Sequence, residues 1–445
     1  MDFKAFKEAV IAKCAEMGIA EYELYYQNAE STSIGAFQHE INQFTCSTEG
    51  GVCFRCIYNG KMGYAATEDL SAQQAAAVVE KAVDNASCLE AEEQVFLCEG
   101  GQEYQPLEDR SYPLPGTEEI ISTVLATQEK LYQADPAVID GSQTQGVAER
   151  SEIAIYNSKG LDLHSVTTLS GLVAVAVVTN GQEMANDYQV KLEKLDTIDI
   201  DALTKKAAAT AKQKLGGDVA PTGQYPVVFD PEAMSDLLQV YSSIFSSEMA
   251  QKGLSKLSGQ EGNVIASDAV TLVDDPFHKS NASARNFDAE GSPTYCKKVI
   301  ENGVFNTLLY NLKTAAVAGK KTTGNASKAG YAGAVGISPF TMYLAPGSAS
   351  EDDLLAQAGE GVYINSLGGL HAGADPISGD FSLQSSGFMI REGKKAEYVK
   401  SFTVAGNFYE MLKNIKTVAS NLEMPGMSSF GSPSVLVEGL SVAGK

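Results

Sequence analysis

The sequence predicts an α+β protein: an N-terminal α/β region, open to reading as a duplicated helix–strands–helix unit, followed by a β-rich C-terminal domain. Three observations carry this. Helical and strand-like periodicities alternate up to about residue 216. Two Asn-Gly turns, Asn59-Gly60 and Asn180-Gly181, follow apolar strand-like runs in both halves of that region. Beyond residue 256 the chain reads mostly as short strands with turn residues between them.

The opening helix has Phe3, Phe6, Val10, Cys14 and Met17 at helical spacing, with Gly18 as its stop. Strand-like runs follow over 22–27, 33–46 and 51–66, and Ser71 can cap a helix over 72–86. An acidic connector with Gly and Pro occupies about 98–116. The order then recurs. Thr117 can cap a helix to Ala134, strands are expected at 152–157, 161–167 and 171–179, and Asp201 opens a helix ending at Gly216. That any two α+β segments look alike at this level remains the alternative to a repeat. The expected units are 1–97, 117–216 and 222–445.

In the last unit, Lys297 to Leu309 reads as a hairpin around Asn302-Gly303. Further strands are expected at 264–273, 340–344, 361–365, 381–390, 398–404 and 435–442, with short helices over 350–357 and 408–418. The segment 229–256 reads as one helix. Asp230 is a capping residue, Pro231 suits the first turn, and Met234, Leu237, Leu238, Tyr241, Phe245 and Met249 form its buried stripe.

At 445 residues the chain needs more than one core. Thirty-three Lys plus Arg against 56 Asp plus Glu give a net charge of −23, which opposes direct nucleic-acid binding. The basic cluster Lys313, Lys320, Lys321 and Lys328 reads as a solvated loop. The charged first 17 residues lack a signal-peptide core, and nowhere do 18 apolar residues run together. A cytoplasmic chain without a membrane span is therefore expected, with its seven cysteines reduced and buried. Cys53 and Cys56 form a C-x-x-C, but on a strand they point to opposite faces and cannot share a metal.

The segment Ser247-Glu248-Met249-Ala250-Gln251-Lys252, ahead of a Gly-containing stretch and the strand-like VTLVDDPF, resembles the motif helix of the TldD/PmbA family. So do FDAEG at 287–291, VIENGVF at 299–305, TTGNAS at 322–327, GGLHAGADPISGDFSLQSSGF at 368–388, NFYEMLKNI at 407–415 and the PmbA-like close GSPSVLVEGLSVAGK. The resemblance implies a peptidase system in which competent members carry His-Glu-x-x-x-His, two histidines and a late cysteine binding zinc and the glutamate acting as base. Here Ser247 and Lys252 stand at the histidine positions, Glu248 remains as the one catalytic candidate, and no cysteine follows Cys296. A hydroxyl and an ammonium are poor zinc ligands. The implied reading is a PmbA/TldE-like subunit with no metal or cofactor of its own. It would act as a homodimer, or as a heterodimer with a TldD-like zinc peptidase, on unfolded or extended peptides in peptide maturation or antitoxin degradation. The alternative is a non-enzymatic regulatory protein linked indirectly to DNA gyrase. His371, Asp375, Asp380 and Ser382, within 12 residues of a Gly-rich stretch, are candidates for lining a peptide cleft; the plainer reading is a set of self-satisfied turns.

Overall fold

The computed structural model describes residues 1–90, 94–281 and 284–445. Helix α1 (Phe3–Met17) is capped by the Asp2 side chain and ends at Gly18, which sits in the left-handed region at φ 70°. Strands β1 (Glu21–Phe37), β2 (Glu40–Tyr58) and β3 (Lys61–Thr67) follow, and then helix α2 (Ala72–Cys88), capped by Ser71. The second round is α3 (Thr117–Ala134), β4 (Gln143–Asn157), β5 (Asp162–Thr179), β6 (Met184–Lys191) and α4 (Ile200–Gln213).

These six strands form one antiparallel sheet in the order β3-β2-β1-β4-β5-β6. The order is a palindrome about the central antiparallel pair β1–β4, so the two rounds of elements occupy equivalent places on either side of it. All four helices cover one face. Phe6, Val10, Val78 and Val79 pack on Leu24, Val52 and Phe54, while Ile120, Val124, Ala207 and Ala208 pack on Ile34, Leu172 and Ala174. Tyr25, Cys53, Ile153 and Ile155 lie on the other face, against Phe287, Ala289 and Ala326 from the C-terminal region. Cys53 and Cys56 fall in different cores, one on each face of the sheet.

Several sequence expectations are corrected here. The run 33–46 is not one strand: Gln38 and His39, at φ 50° and 64°, make a two-residue turn between β1 and β2. The His39 N–H donates to Gln128 Oε1 at 2.8 Å, so a tertiary contact fixes a turn that carries no Gly signal. Strand β6 went unpredicted because its residues, MANDYQVK, are polar and solvent-facing. Thr117 is the first helical residue rather than a cap, and Asp199, not Asp201, caps α4. Four cysteines are buried, but Cys46, Cys88 and Cys296 are exposed.

Past β7 (Gly223–Phe229), helix α5 (Pro231–Tyr241) continues into a 3-10 turn, Ser242–Phe245, and a separate short helix α6 (Ser247–Gln251). Then come β8 (Leu272–Asp274), β9 (Lys297–Glu301), β10 (Val304–Phe305), α7 (Leu312–Ala318), β11 (Ala326–Ser327), β12 (Gly336–Ile337) and β13 (Met342–Leu344). The chain closes with α8 (Glu351–Ala358), β14 (Gly361–Gly368), α9 (Leu370–Gly373), β15 (Asp380–Arg391), β16 (Lys394–Asn407), α10 (Phe408–Lys413), β17 (Ile415–Val418), β18 (Phe430–Gly431) and β19 (Val435–Ala443). The expected hairpin is present, with Asn302 and Gly303 at positive φ. The expected strand 264–273 reduces to β8 and an isolated bridge at Val264, and the expected helix 408–418 gives way to β17 after Asn414.

Strands β7, β14, β15, β16 and β19 close on themselves, since β16 pairs with both β15 and β19. Closure joins the two ends of this set, and the short β17 stays outside it, paired with β19. Helix α5 packs its buried face into this core beside Phe229, Leu383 and Phe408. Among the described residues no helix is long and apolar enough to cross a membrane.

Candidate functional site

The motif segment is not one helix. The Asp230 side chain accepts the Ala233 N–H at 2.8 Å and starts α5, but four serines among residues 242–247 weaken helix continuation. At Ser246 the backbone turns extended, at ψ 125°. There it exchanges hydrogen bonds with the segment before α7: Leu309 N–H to Phe245 O at 2.8 Å, and Ser247 N–H to Leu309 O at 3.0 Å. A tertiary backbone pairing thus overrides the periodicity that joined the two helices.

Within α6 the motif positions face opposite ways. Ser247 is fully buried, and its hydroxyl donates to Thr314 Oγ1 at 2.8 Å. Gln251 Nε2 donates to the Thr314 carbonyl, so α6 is pinned to the first turn of α7. Glu248 and Lys252 lie on the outer side, paired at 2.6 Å, with side chains 40% and 58% exposed. Such a pair fits the i,i+4 geometry of any solvated helix.

The Gly-rich candidates form a separate feature. His371 is exposed on α9 and Ser382 is exposed on β15. The Asp375 carboxylate accepts the Ile377 N–H at 2.9 Å, and the Asp375 N–H donates to the Asp380 carbonyl at 2.9 Å. The Asp380 carboxylate accepts from Asn407 Nδ2 at 2.7 Å. Both carboxyls are held below the ordinary range, Asp375 chiefly by the Ile377 N–H and Asp380 chiefly by the Asn407 amide. Two residues that the sequence did not mark for the site tie this turn to the motif segment. Tyr241, the last residue of α5, donates its hydroxyl to the Asp380 carbonyl at 2.8 Å, and Lys256, beyond α6, donates to the Ser378 carbonyl at 2.6 Å. Tyr241 stood in the apolar stripe, and a buried tyrosine needs a partner for its hydroxyl; that was the available signal. Among the described residues no hydrogen bond or ion pair joins Ser247, Glu248 or Lys252 directly to His371, Asp375, Asp380 or Ser382.

Two buried polar networks lie elsewhere. Asp274, fully buried, accepts from Lys297 at 3.1 Å, from Asn325 at 2.7 Å and from the N–H groups of Phe340 and Thr341. Arg55 donates to Glu23 at 2.7 Å and stands 3.6 Å from Glu290, linking the N-terminal sheet to the C-terminal region. Lys328, expected in a solvated loop, instead lies over the Tyr25 ring at 4.9 Å, where burial lowers its pKa. Among the described residues no three His, Cys, Asp or Glu side chains converge as a metal site.

A palindromic helix-covered sheet, set against a closed β domain that carries a two-part motif helix, defines the class as that of the PmbA and TldD metallopeptidase-like proteins. Family models agree along the chain: PmbA/TldA metallopeptidase domain 1 over 22–86, the central domain over 111–215 and the C-terminal domain over 222–444. The chain belongs to the PmbA/TldA metallopeptidase family. It is 25% identical over 430 residues to the protein MJ0231 of Methanocaldococcus jannaschii, covering 96% of this chain and 98% of the relative. It is 28% identical over 414 residues to a metalloprotease of Methanothermobacter thermautotrophicus, covering 89% and 87%. It is 23% identical over 440 residues to Metalloprotease PmbA of Escherichia coli O157:H7, covering 95% and 92%. A Thermotoga maritima structure named as a proposed modulator of a DNA gyrase superposes with TM-score 0.90 at 29% identity, covering 99% of this chain and 100% of that one. TldE from Thermococcus kodakarensis shares the fold, with TM-score 0.84, 22% identity and coverage of 99% and 100%.

Proposed function

We propose that this chain is a PmbA/TldE-like subunit of a TldD/PmbA-type peptidase system that binds no catalytic zinc itself. It shapes a cleft for unfolded or extended peptides, and a TldD-like partner supplies the metal. One observation carries this reading: Ser247 turns inward to Thr314 while Lys252 turns outward to Glu248. The two positions that resemble the zinc-histidine sites therefore present neither two ligands nor a common side on which an ion could sit. The tyrosine and lysine ties from Tyr241 and Lys256 place the Asp375–Asp380 turn beside this segment, which favours the turn as part of the cleft wall.

The test has two parts. Elemental analysis of the purified, dialysed chain is expected to find no stoichiometric zinc; one tightly held zinc per chain overturns the reading. Mixing with a TldD-like zinc peptidase is expected to produce peptide cleavage that neither chain gives alone. Full cleavage by the isolated chain argues against a supporting role. A second reading, a regulatory protein linked indirectly to gyrase, draws on the name of the Thermotoga relative and on the charge of −23. It predicts a change in gyrase supercoiling assays with no effect on peptide cleavage.

A further inference from the structure

We propose that the outer edge of β2 between residues 40 and 50 is an interface at which a second copy of this chain adds its own β2, antiparallel, across a two-fold axis. The proposal goes beyond the functional reading above, which pairs this chain with a TldD-like partner, and assigns a surface at which the chain pairs with itself.

Strand β3 covers β2 only from Val52 onward, so residues 40–50 have a neighbour on one side alone, β1. Which backbone groups face outward follows from the hairpins. The β2–β3 turn has two residues, Asn59 and Gly60, which makes Tyr58 and Lys61 a hydrogen-bonded pair. Even-numbered residues of β2 therefore point toward the β3 side, and the β1 register is unbroken from Ile57 down to Gln43. Phe44, Cys46, Thr48 and Gly50 thus turn their N–H and C=O groups to the open side. Among the described residues none of these groups has a partner. The edge is also held rigid, because its tip is fixed by the His39 N–H bond to Gln128 and by the His39 ring against Tyr132 at 4.7 Å.

The palindrome supplies a comparison within the molecule. The equivalent overhang on the other side is β5 from Asp162 to Gly171, beyond the reach of β6. There the chain covers its own edge. The Tyr112 hydroxyl takes the outward Ser170 N–H at 2.8 Å, the Tyr112 N–H goes to Thr168 Oγ1 at 2.8 Å, and residues 107–111 share a cavity with residues 164–168 of the strand. An edge of this kind is thus covered by extended chain where chain is at hand, and the β2 overhang has none. Its protection is confined to a bulge between Ile41 and Gln43 and to Glu40 and Glu49: residues 40–50, EINQFTCSTEG, include no Lys, Arg or Pro, the register is regular from Gln43 on, and Phe44 is 54% exposed.

The occupant that matches this edge without any further segment is the same edge of another copy, in an isologous contact. Outward groups must meet outward groups, so even positions pair with even positions, and Cys46 falls at or next to the axis.

Light scattering on the intact chain tests this, together with cross-linking of a Cys88→Ser, Cys296→Ser background by a short bis-maleimide. A particle of twice the chain mass and a Cys46–Cys46 cross-link are expected. Cys46→Pro, which removes an outward N–H without touching the β1 ladder, is expected to halve the mass. Phe44→Lys, at an exposed position that folding tolerates, is expected to do the same with an unchanged melting curve. A dimer that survives both substitutions overturns the surface but leaves the pairing reading standing. A wild-type chain that is monomeric alone, yet pairs with a TldD-like chain through this edge, overturns the second copy as occupant. A chain that is monomeric alone and in that mixture overturns both the surface and the pairing reading.

Discussion

The Ser247 hydroxyl lies 2.8 Å from Thr314 Oγ1, both side chains buried, and this bond fixes which way the motif segment faces. Thr314 in turn donates to Asn311 Oδ1 at 2.9 Å and belongs to the capping box of α7. The position that resembles a zinc-histidine site is thereby built into the core as a helix-to-helix clasp.

Ser247→Ala is expected to cost about 1 kcal/mol, the net worth of one neutral hydrogen bond, because Thr314 keeps its Asn311 partner. Ser247→His is expected to cost more, about 2–3 kcal/mol, since the ring has no room at a fully buried position. Urea unfolding of the two variants checks the order; a histidine tolerated as well as alanine shows that the segment can reopen.

The Glu248–Lys252 pair is exposed, so Lys252→Ala is expected to change stability by no more than about 0.5 kcal/mol, and less at high salt. Thermal melts at low and high ionic strength measure this. If partner-dependent cleavage falls several-fold while the melting curve stays put, the ammonium acts at the cleft rather than in folding.

Arg55 offers a contrast, because it is buried between Glu23 and Glu290. Arg55→Met is expected to destabilise the chain by about 3–5 kcal/mol, since two carboxylates are left buried without their counter-charge. A loss below about 1 kcal/mol, read by urea unfolding, contradicts that account.

Asp236, on α5, is pushed up to about 6 by burial and then by the neighbouring Glu232 carboxylate. A carboxyl raised in the folded state holds its proton there after the unfolded chain has released it. Its contribution is therefore favourable at low pH and is lost as pH rises from about 4 to about 6. Asp236→Asn is expected to gain on the wild type across that window by about 1 kcal/mol, after allowance for solvent. Melting curves of both at pH 4, 5, 6 and 7 test the sign; a difference that stays flat removes Asp236 as a cause.

Much of this was open to reading in the sequence because it rests on local physics. The capping residues Ser71 and Asp230, the stop at Gly18 and the Asn-Gly turns at 59–60 and 302–303 act through their nearest neighbours alone. The C-x-x-C at Cys53 and Cys56 followed from the two-residue period of a strand, and the cysteines do lie in separate cores. The family resemblance likewise rested on residues in sequence order, and the family models match over 22–86, 111–215 and 222–444.

What only the tertiary structure decided were the features set by distant partners. Helices α5 and α6 separate because Leu309, more than sixty residues on, takes the backbone bonds at Ser246 and its neighbours that a continuous helix would have used. The turn at Gln38-His39 depends on Gln128, and the depth of Lys328 depends on the Tyr25 ring. The sides to which Ser247 and Lys252 point were set in the same way. A helical period says which residues share a face; only the packing of α7 says which face is inside.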